Sequence, residues 1–172
     1  LTHDGGLTAI RIEGPTNSVD QRANRLSKEL DLLDQELSIL DNEQSNIFWS
    51  RTKNLEVFKK LESNLLRIVL PISETLQVIQ KLKSYDIKYF VDWGGSLIWA
   101  VFETLNAKIL SDIKDIVKKH QGYTTLIKIE DDLKASADIF TIDPIKYKIS
   151  EKIKRSFDPK RIFNPGKMYT GI

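Results

Sequence analysis

Residues 87–102 read "IKYFVDWGGSLIWAVF", two runs of β-branched and aromatic side chains on either side of a glycine pair. Such side chains suit a half-buried pleated surface, and paired glycines supply the backbone angles of a tight reversal. The stretch predicts strands over 87–93 and 96–102, antiparallel neighbours joined at Gly94–Gly95. On the N-terminal side, "LLRIVLP" at 65–71 alternates Leu66, Ile68 and Leu70 with Leu65, Arg67 and Val69. It reads as a strand covered on both faces that carries one Arg and stops at Pro71. A helix over about 73–84 separates it from the hairpin, with Leu76, Ile79 and Leu82 at three-residue spacing. On the C-terminal side, Ile109, Leu110, Ile113, Ile116 and Val117 predict a helix over 107–120, which Gly122 is placed to end. "YTTLIKI" at 123–129 is a further strand. The order strand, helix, strand, strand, helix, strand is the split β-α-β order of an α+β, ferredoxin-like sandwich, an antiparallel sheet with helices packed on one face.

The flanks carry their own signals. "LTAIRIE" at 7–13 predicts a strand with Thr8, Ile10 and Ile12 on one face. Ser18 and Gln21 have the spacing of a capping box ahead of a helix whose stripe is Val19, Ala23, Leu26, Leu30 and Leu33. Asp41 and Gln44 repeat that spacing ahead of a second helix carrying Ile47, Phe48 and Trp49 to about Leu55. Near the other end, Asp143 caps and Pro144 opens a helix with Ile145, Ile149, Ile153 and Phe157 four residues apart, and Asp158–Pro159 stops it. Asn164–Pro165–Gly166 then makes a second turn, so the chain beyond 157 follows a defined path rather than a loose tail.

Composition narrows the chemistry. The 172 residues are 41% hydrophobic and 29% charged, enough to bury a core, and the chain contains no cysteine and two histidines. Disulfides, thiolate metal sites, iron–sulfur clusters held by this chain and cysteine nucleophiles are excluded. No phosphate loop, HExxH or EF-hand spacing occurs, so metal ligands are expected to be none and no catalytic residue is assigned. No apolar run approaches the roughly 20 residues that cross a bilayer. The net charge is +2, unevenly spread. Glu29, Asp31, Asp34, Glu36, Asp41 and Glu43 face no base between 29 and 43, whereas bases dominate from 145 onward. A small net charge, with aromatics that belong to a helix stripe, argues against nucleic acid as a partner. His3 falls in a loop and His120 in the last turn of a helix, both read as structural. Trp49, Trp93 and Trp99 read first as core, with Trp93 beside Gly94–Gly95 also placed to face a ligand. Arg67 must find an acceptor: either an acid within the domain or the carboxylate of a substrate.

"FDPKRIFNPGKMY" at 157–169 resembles the C-terminal signature of FAD-linked oxidases of the vanillyl-alcohol oxidase and p-cresol methylhydroxylase type. "HDGGLTAIRIEGP" at 3–15, "FWSRTKNLE" at 48–56, "LLRIVLP" at 65–71 and "YFVDWGGSLIWA" at 89–100 follow the order seen in FAD-binding (E) subunits of glycolate oxidases. The resemblance implies that residues 1–172 are a C-terminal cap, or substrate, domain, with the FAD-binding domain and its glycine-rich segments preceding residue 1. It implies flavin-dependent oxidation of a 2-hydroxy acid, glycolate, to a 2-oxo acid, glyoxylate, with FAD bound mainly by that other domain. This stretch alone is not expected to be active. Carried over by position, Asn164, Pro165, Gly166 and Lys167 lie beside the flavin, and Arg67 and Trp93 cover the substrate pocket. The implied partners are the chain's own FAD-binding domain and the catalytic and iron–sulfur subunits of the complex. The implied location is cytoplasmic, at the membrane only through the complex. The alternative is a non-catalytic domain that docks those subunits through the acidic helix at 19–33 or the basic end.

Overall fold

The computed structural model describes residues 6–31, 37–58, 64–130, 133, 137–141, 143–167 and 169. They divide into two compact units, residues 7–60 and residues 61–172 with 1–6.

In the smaller unit, α1 spans Thr16–Asp31 and α2 spans Asn42–Lys53. The start of α2 is the capping box expected at Asp41 and Gln44. The Asp41 carboxylate accepts the Gln44 N–H at 2.8 Å, and the Gln44 side chain accepts the Asp41 N–H at 3.1 Å. The start of α1 differs from the expectation. Pro15 C=O accepts the N–H groups of Ser18 and Val19 at 2.9 and 3.0 Å, so the helix is already under way at Thr16 and Ser18 lies in its first turn. Residues 7–13 do not form the expected strand. Alternation prepares a strand, but hydrogen bonding to a neighbour makes one, and the sheet is built from residues 64–128 alone. Leu33, Asp34 and Glu36 lie outside the described residues.

The larger unit contains β1 (Asn64–Val69), α3 (Ile72–Leu82), β2 (Ile87–Asp92), β3 (Leu97–Phe102), α4 (Ala107–Lys119), β4 (Tyr123–Lys128) and α5 (Pro144–Phe157). The strands form one antiparallel sheet in the order β2-β3-β1-β4, the arrangement expected of a ferredoxin-like α+β sandwich. Register decides which residues share a face. Leu66 stands opposite Ala100 and Leu126, Ile68 opposite Ile98, and Ile87 opposite Phe102. All are buried in one core cluster with Val78, Ile79 and Leu82 of α3 and Leu110, Ile113 and Val117 of α4. Both helices therefore cover the same face of the sheet. Asn64, buried beside this core, is satisfied by Glu130: its carbonyl accepts the Glu130 N–H at 3.0 Å and its amide donates to the carboxylate at 3.3 Å.

The end of α4 shows why Gly122 is there. Gln121, not glycine, takes the left-handed backbone, at φ 58°. Gln121 N–H donates to Lys118 C=O and Gly122 N–H to Val117 C=O, a Schellman closure. Gly122 is needed for space: a Cβ there would sit 2.8 Å from the Val69 carbonyl oxygen and 2.8 Å from a Val117 methyl. The helix stops where β1 and α4 press against the turn into β4.

Candidate functional site

The second face of the sheet carries a row that the sequence could not line up. Phe90 pairs with Trp99, Trp99 with Arg67, Arg67 with Thr125, and Thr125 bridges to Phe140. One residue from each strand thus stands in line, with the Arg67 side chain on the inner strand β1, facing away from the helices. Over it lies Trp93, with the guanidinium carbon 4.8 Å from the ring centroid, within the range of a cation–π contact. The structure therefore brings together the two residues expected at the substrate pocket.

Among the described residues Arg67 has no acid partner within the domain of the kind that would make it merely structural. Among those residues its side chain forms no ion pair or hydrogen bond, and the contact with Trp93 is its one specific interaction. The nearest acid in sequence on the hairpin, Asp92, is turned to its own backbone, where its carboxylate accepts the Trp93 N–H at 2.7 Å. A guanidinium held over an indole ring still has its N–H groups for an acceptor, and the planar fork matches a carboxylate. Trp93 departs from the core expectation: it is 57% exposed, whereas Trp49 and Trp99 are half-buried.

Trp93 sits on a four-residue loop, Trp93–Ser96, between the paired residues Asp92 and Leu97. Its backbone is left-handed at φ 53°, followed by Gly94 at 61° and Gly95 at 113°. The strands are each one residue shorter at this end than expected because Trp93 and Ser96 belong to the turn.

At the C-terminal end, Asn164 C=O accepts the Lys167 N–H at 3.2 Å, with Pro165 at the second position and Gly166 at φ 67°. Pro followed by a positive-φ glycine is the chemistry of a type II turn. Pro165 has no N–H and that of Lys167 closes the turn, so the turn keeps one inner main-chain donor, Gly166, beside an exposed Lys167 side chain. These residues fit an edge contact with an anionic group; they do not enclose a dinucleotide. No hydrogen bond, ion pair or ring contact joins them to Arg67 or Trp93 among the described residues.

What holds this segment is a residue that sequence reasoning read only as a helix stop. The Asp158 carboxylate accepts the N–H groups of Ile162 and Phe163, each at 2.9 Å, and pairs with Lys154 at 2.7 Å. The i,i+4 spacing of Lys154 and Asp158 was the available signal. The Lys154 bond and the two amide donors hold the Asp158 carboxyl down at about 2, below its ordinary 3.8. A carboxyl lowered in the folded state contributes stability that is complete above its unfolded pKa and is lost as pH falls through about 2. Asp158→Asn is expected to speed amide exchange at Ile162 and Phe163 about tenfold at neutral pH. It should also remove their acid dependence between pH 4 and 2. Unchanged exchange at those two amides would show that Asp158 does not anchor the segment.

His120 is structural, as expected, but more firmly placed than a surface histidine. It is 9% exposed, its Nδ1 lies 2.6 Å from the Glu74 carboxylate, and its Nε2 lies 2.7 Å from Lys81 Nζ. It ties the end of α4 to both ends of α3. Among the described residues no cluster of metal-ligating side chains occurs, and no helix is long and apolar enough to cross a membrane.

Tyr147 of α5 and Phe140 ahead of the helix make ring contacts with Tyr169, while the opposite stripe of α5 is open. Ile145 is 71%, Ile149 53%, Ile153 55% and Phe157 84% exposed, and Ile162 and Phe163 beyond the helix are exposed as well. Lys146, Lys148, Lys152 and Arg155 share this exposed side. Comparison with curated proteins and with solved structures gives no match. Residues 140–168, from the Phe140 bridge through α5 and the Asn164–Lys167 turn, match the family model described as FAD linked oxidases, C-terminal domain, which supports a flavin-linked oxidase C-terminal domain here.

Proposed function

We propose that this chain is the C-terminal cap domain of a flavin-dependent oxidoreductase acting on a 2-hydroxy acid. The observation that carries the reading is the open apolar stripe of α5 within the segment that matches the oxidase model. An amphipathic helix leaves four large apolar side chains in water only where another surface covers them. The reading gives that surface to an FAD-binding domain outside these 172 residues. Asn164, Pro165, Gly166 and Lys167 then lie at the boundary, with Gly166 N–H and the Lys167 ammonium turned to flavin or phosphate oxygens. FAD, held mainly by the other domain, supplies the acceptor for the hydride equivalent. This chain holds the substrate: the edge of Arg67 takes the carboxylate, Trp93 fixes the plane of the fork, and closure of the two domains excludes water.

Resemblance to glycolate oxidase FAD-binding subunits makes glycolate the first substrate to test and the catalytic and iron–sulfur subunits the first partners. The reading is tested by Ile149→Glu with Ile153→Glu, made in the flavoprotein that contains both domains. Charges there are expected to reduce retained FAD at least about fivefold while the far-ultraviolet spectrum of this domain is unchanged, since neither side chain packs inside it. Full FAD retention and full activity in the double variant would overturn the proposal.

A further inference from the structure

The loop that carries Trp93 is held in a conformation it would not keep by itself. Three successive residues have left-handed backbone, Trp93 at φ 53°, Gly94 at 61° and Gly95 at 113°, and the first is a bulky side chain for which that region is an outlier. Such geometry persists where the surroundings over-determine it, and it clusters at ligand clamps. Packing does not hold the indole, which is 57% exposed. The bonds made within the hairpin, Asp92 carboxylate to Trp93 N–H and Ser96 hydroxyl to Trp93 C=O, shape the loop but move with it.

The outside hold comes from α3 and from Leu70, just after β1. Leu70 N–H donates to Ser96 C=O at 3.1 Å. The Thr75 hydroxyl, with Thr75 itself 7% exposed, donates to Gly95 C=O. Ile72 backs the same glycine so closely that an added Cβ would stand 3.2 Å from its methyl carbon. The first turn of α3 is in turn fixed to the end of α4, because Glu74 is bonded to His120 at 2.6 Å. A chain of contacts thus runs from α4 through α3 to the loop, and from the loop through Trp93 to Arg67.

We infer that the first turn of α3 is the brace that keeps Trp93 stacked on Arg67, and that Thr75 is a positioning residue for the carboxylate site, an inference that rests on reading Arg67 as the carboxylate holder. Thr75 touches neither substrate nor cofactor. It acts by fixing Gly95 C=O, two residues from the indole that lies against the guanidinium. Threonine rather than valine is needed, since the two have the same shape and only the hydroxyl makes the bond.

The test compares Thr75→Val with Thr75→Ser. In this chain labelled with 5-fluorotryptophan, three fluorine resonances are expected from Trp49, Trp93 and Trp99, and Trp93→Phe identifies the one that matters. Thr75→Val is expected to move the Trp93 resonance to the position it takes in Arg67→Met, and Thr75→Ser to leave it in place. In the flavoprotein with both domains, Thr75→Val should raise the KM for a 2-hydroxy acid about fivefold, with kcat changed less than about twofold, and Thr75→Ser should restore it. If Thr75→Val does not fold, Thr75→Ala carries the same comparison. A Trp93 resonance that stays at its wild-type position while only Tm falls would overturn the brace. A flavoprotein inactive on every 2-hydroxy acid would sink the proposed function instead, and the resonance would still decide the brace.

Discussion

Phe102→Ala is expected to lower the unfolding free energy of the sandwich by about 4 kcal/mol, in the range for deleting a buried aromatic ring. Phe102 is fully buried and ends β3 on the helix-covered face, opposite Asn64 on one side and Ile87 on the other. Its strand is paired on both edges, so the backbone has no freedom to close over the space left by the ring. The cavity is therefore expected to persist, adding its own cost to the lost transfer free energy. Urea unfolding, with exchange of the β1 and β3 amides as the reporter for this unit, measures it. A loss under about 1.5 kcal/mol would mean that the core repacks, which the close contacts around this strand argue against. Phe102→Leu should recover more than half of the loss, because it restores most of the apolar volume.

The sandwich was legible because its signals were redundant. Each strand between 64 and 128 carried alternation or β-branched residues, each helix a stripe, and the order of elements admitted few topologies. Residues 7–13 show the limit of such signals. Thr8, Ile10 and Ile12 alternate as well as any strand in the sheet, yet Ile10 is 58% exposed and no ladder forms. Pairing is a property of two segments, and one segment's pattern cannot supply it.

The candidate site was legible in its residue types and not in its geometry. Arg67 stood out because a cation among apolar neighbours must be matched, and Trp93 because it adjoins two glycines. Their contact could not be read, since it depends on β1 lying beside β3 and on the left-handed turn that lifts the indole over the sheet. Thr75 and Asp158 were missed for a related reason. A threonine in a helix and an aspartate before a proline are common, and only the partners, Gly95 C=O in one case and two amides with Lys154 in the other, give them a role. The open stripe on α5 is the opposite case. Its spacing was plain, and a spacing of four reads equally well as a face turned to a core or a face kept for another surface.

Arg67→Met, made in the flavoprotein that contains both domains, is expected to weaken binding of 2-hydroxy and 2-oxo acids about 100-fold, the loss of a bidentate charge-assisted pair. The substitution keeps the apolar stem that lies along β1 and removes a charge that has no ion-pair partner among the described residues. Stability should therefore change by less than about 0.5 kcal/mol. This separation of binding from stability is what distinguishes a substrate holder from a structural pair, for which truncation leaves a buried charge behind and the fold suffers. Arg67→Lys should fall between, about tenfold weaker than the native residue, because an ammonium keeps the charge but neither the fork nor the flat face that rests on Trp93. Titration with glyoxylate, followed by flavin fluorescence, measures all three proteins on one scale. Equal affinities across the three would remove Arg67 from the substrate site and leave its stack on Trp93 as a surface contact of the hairpin.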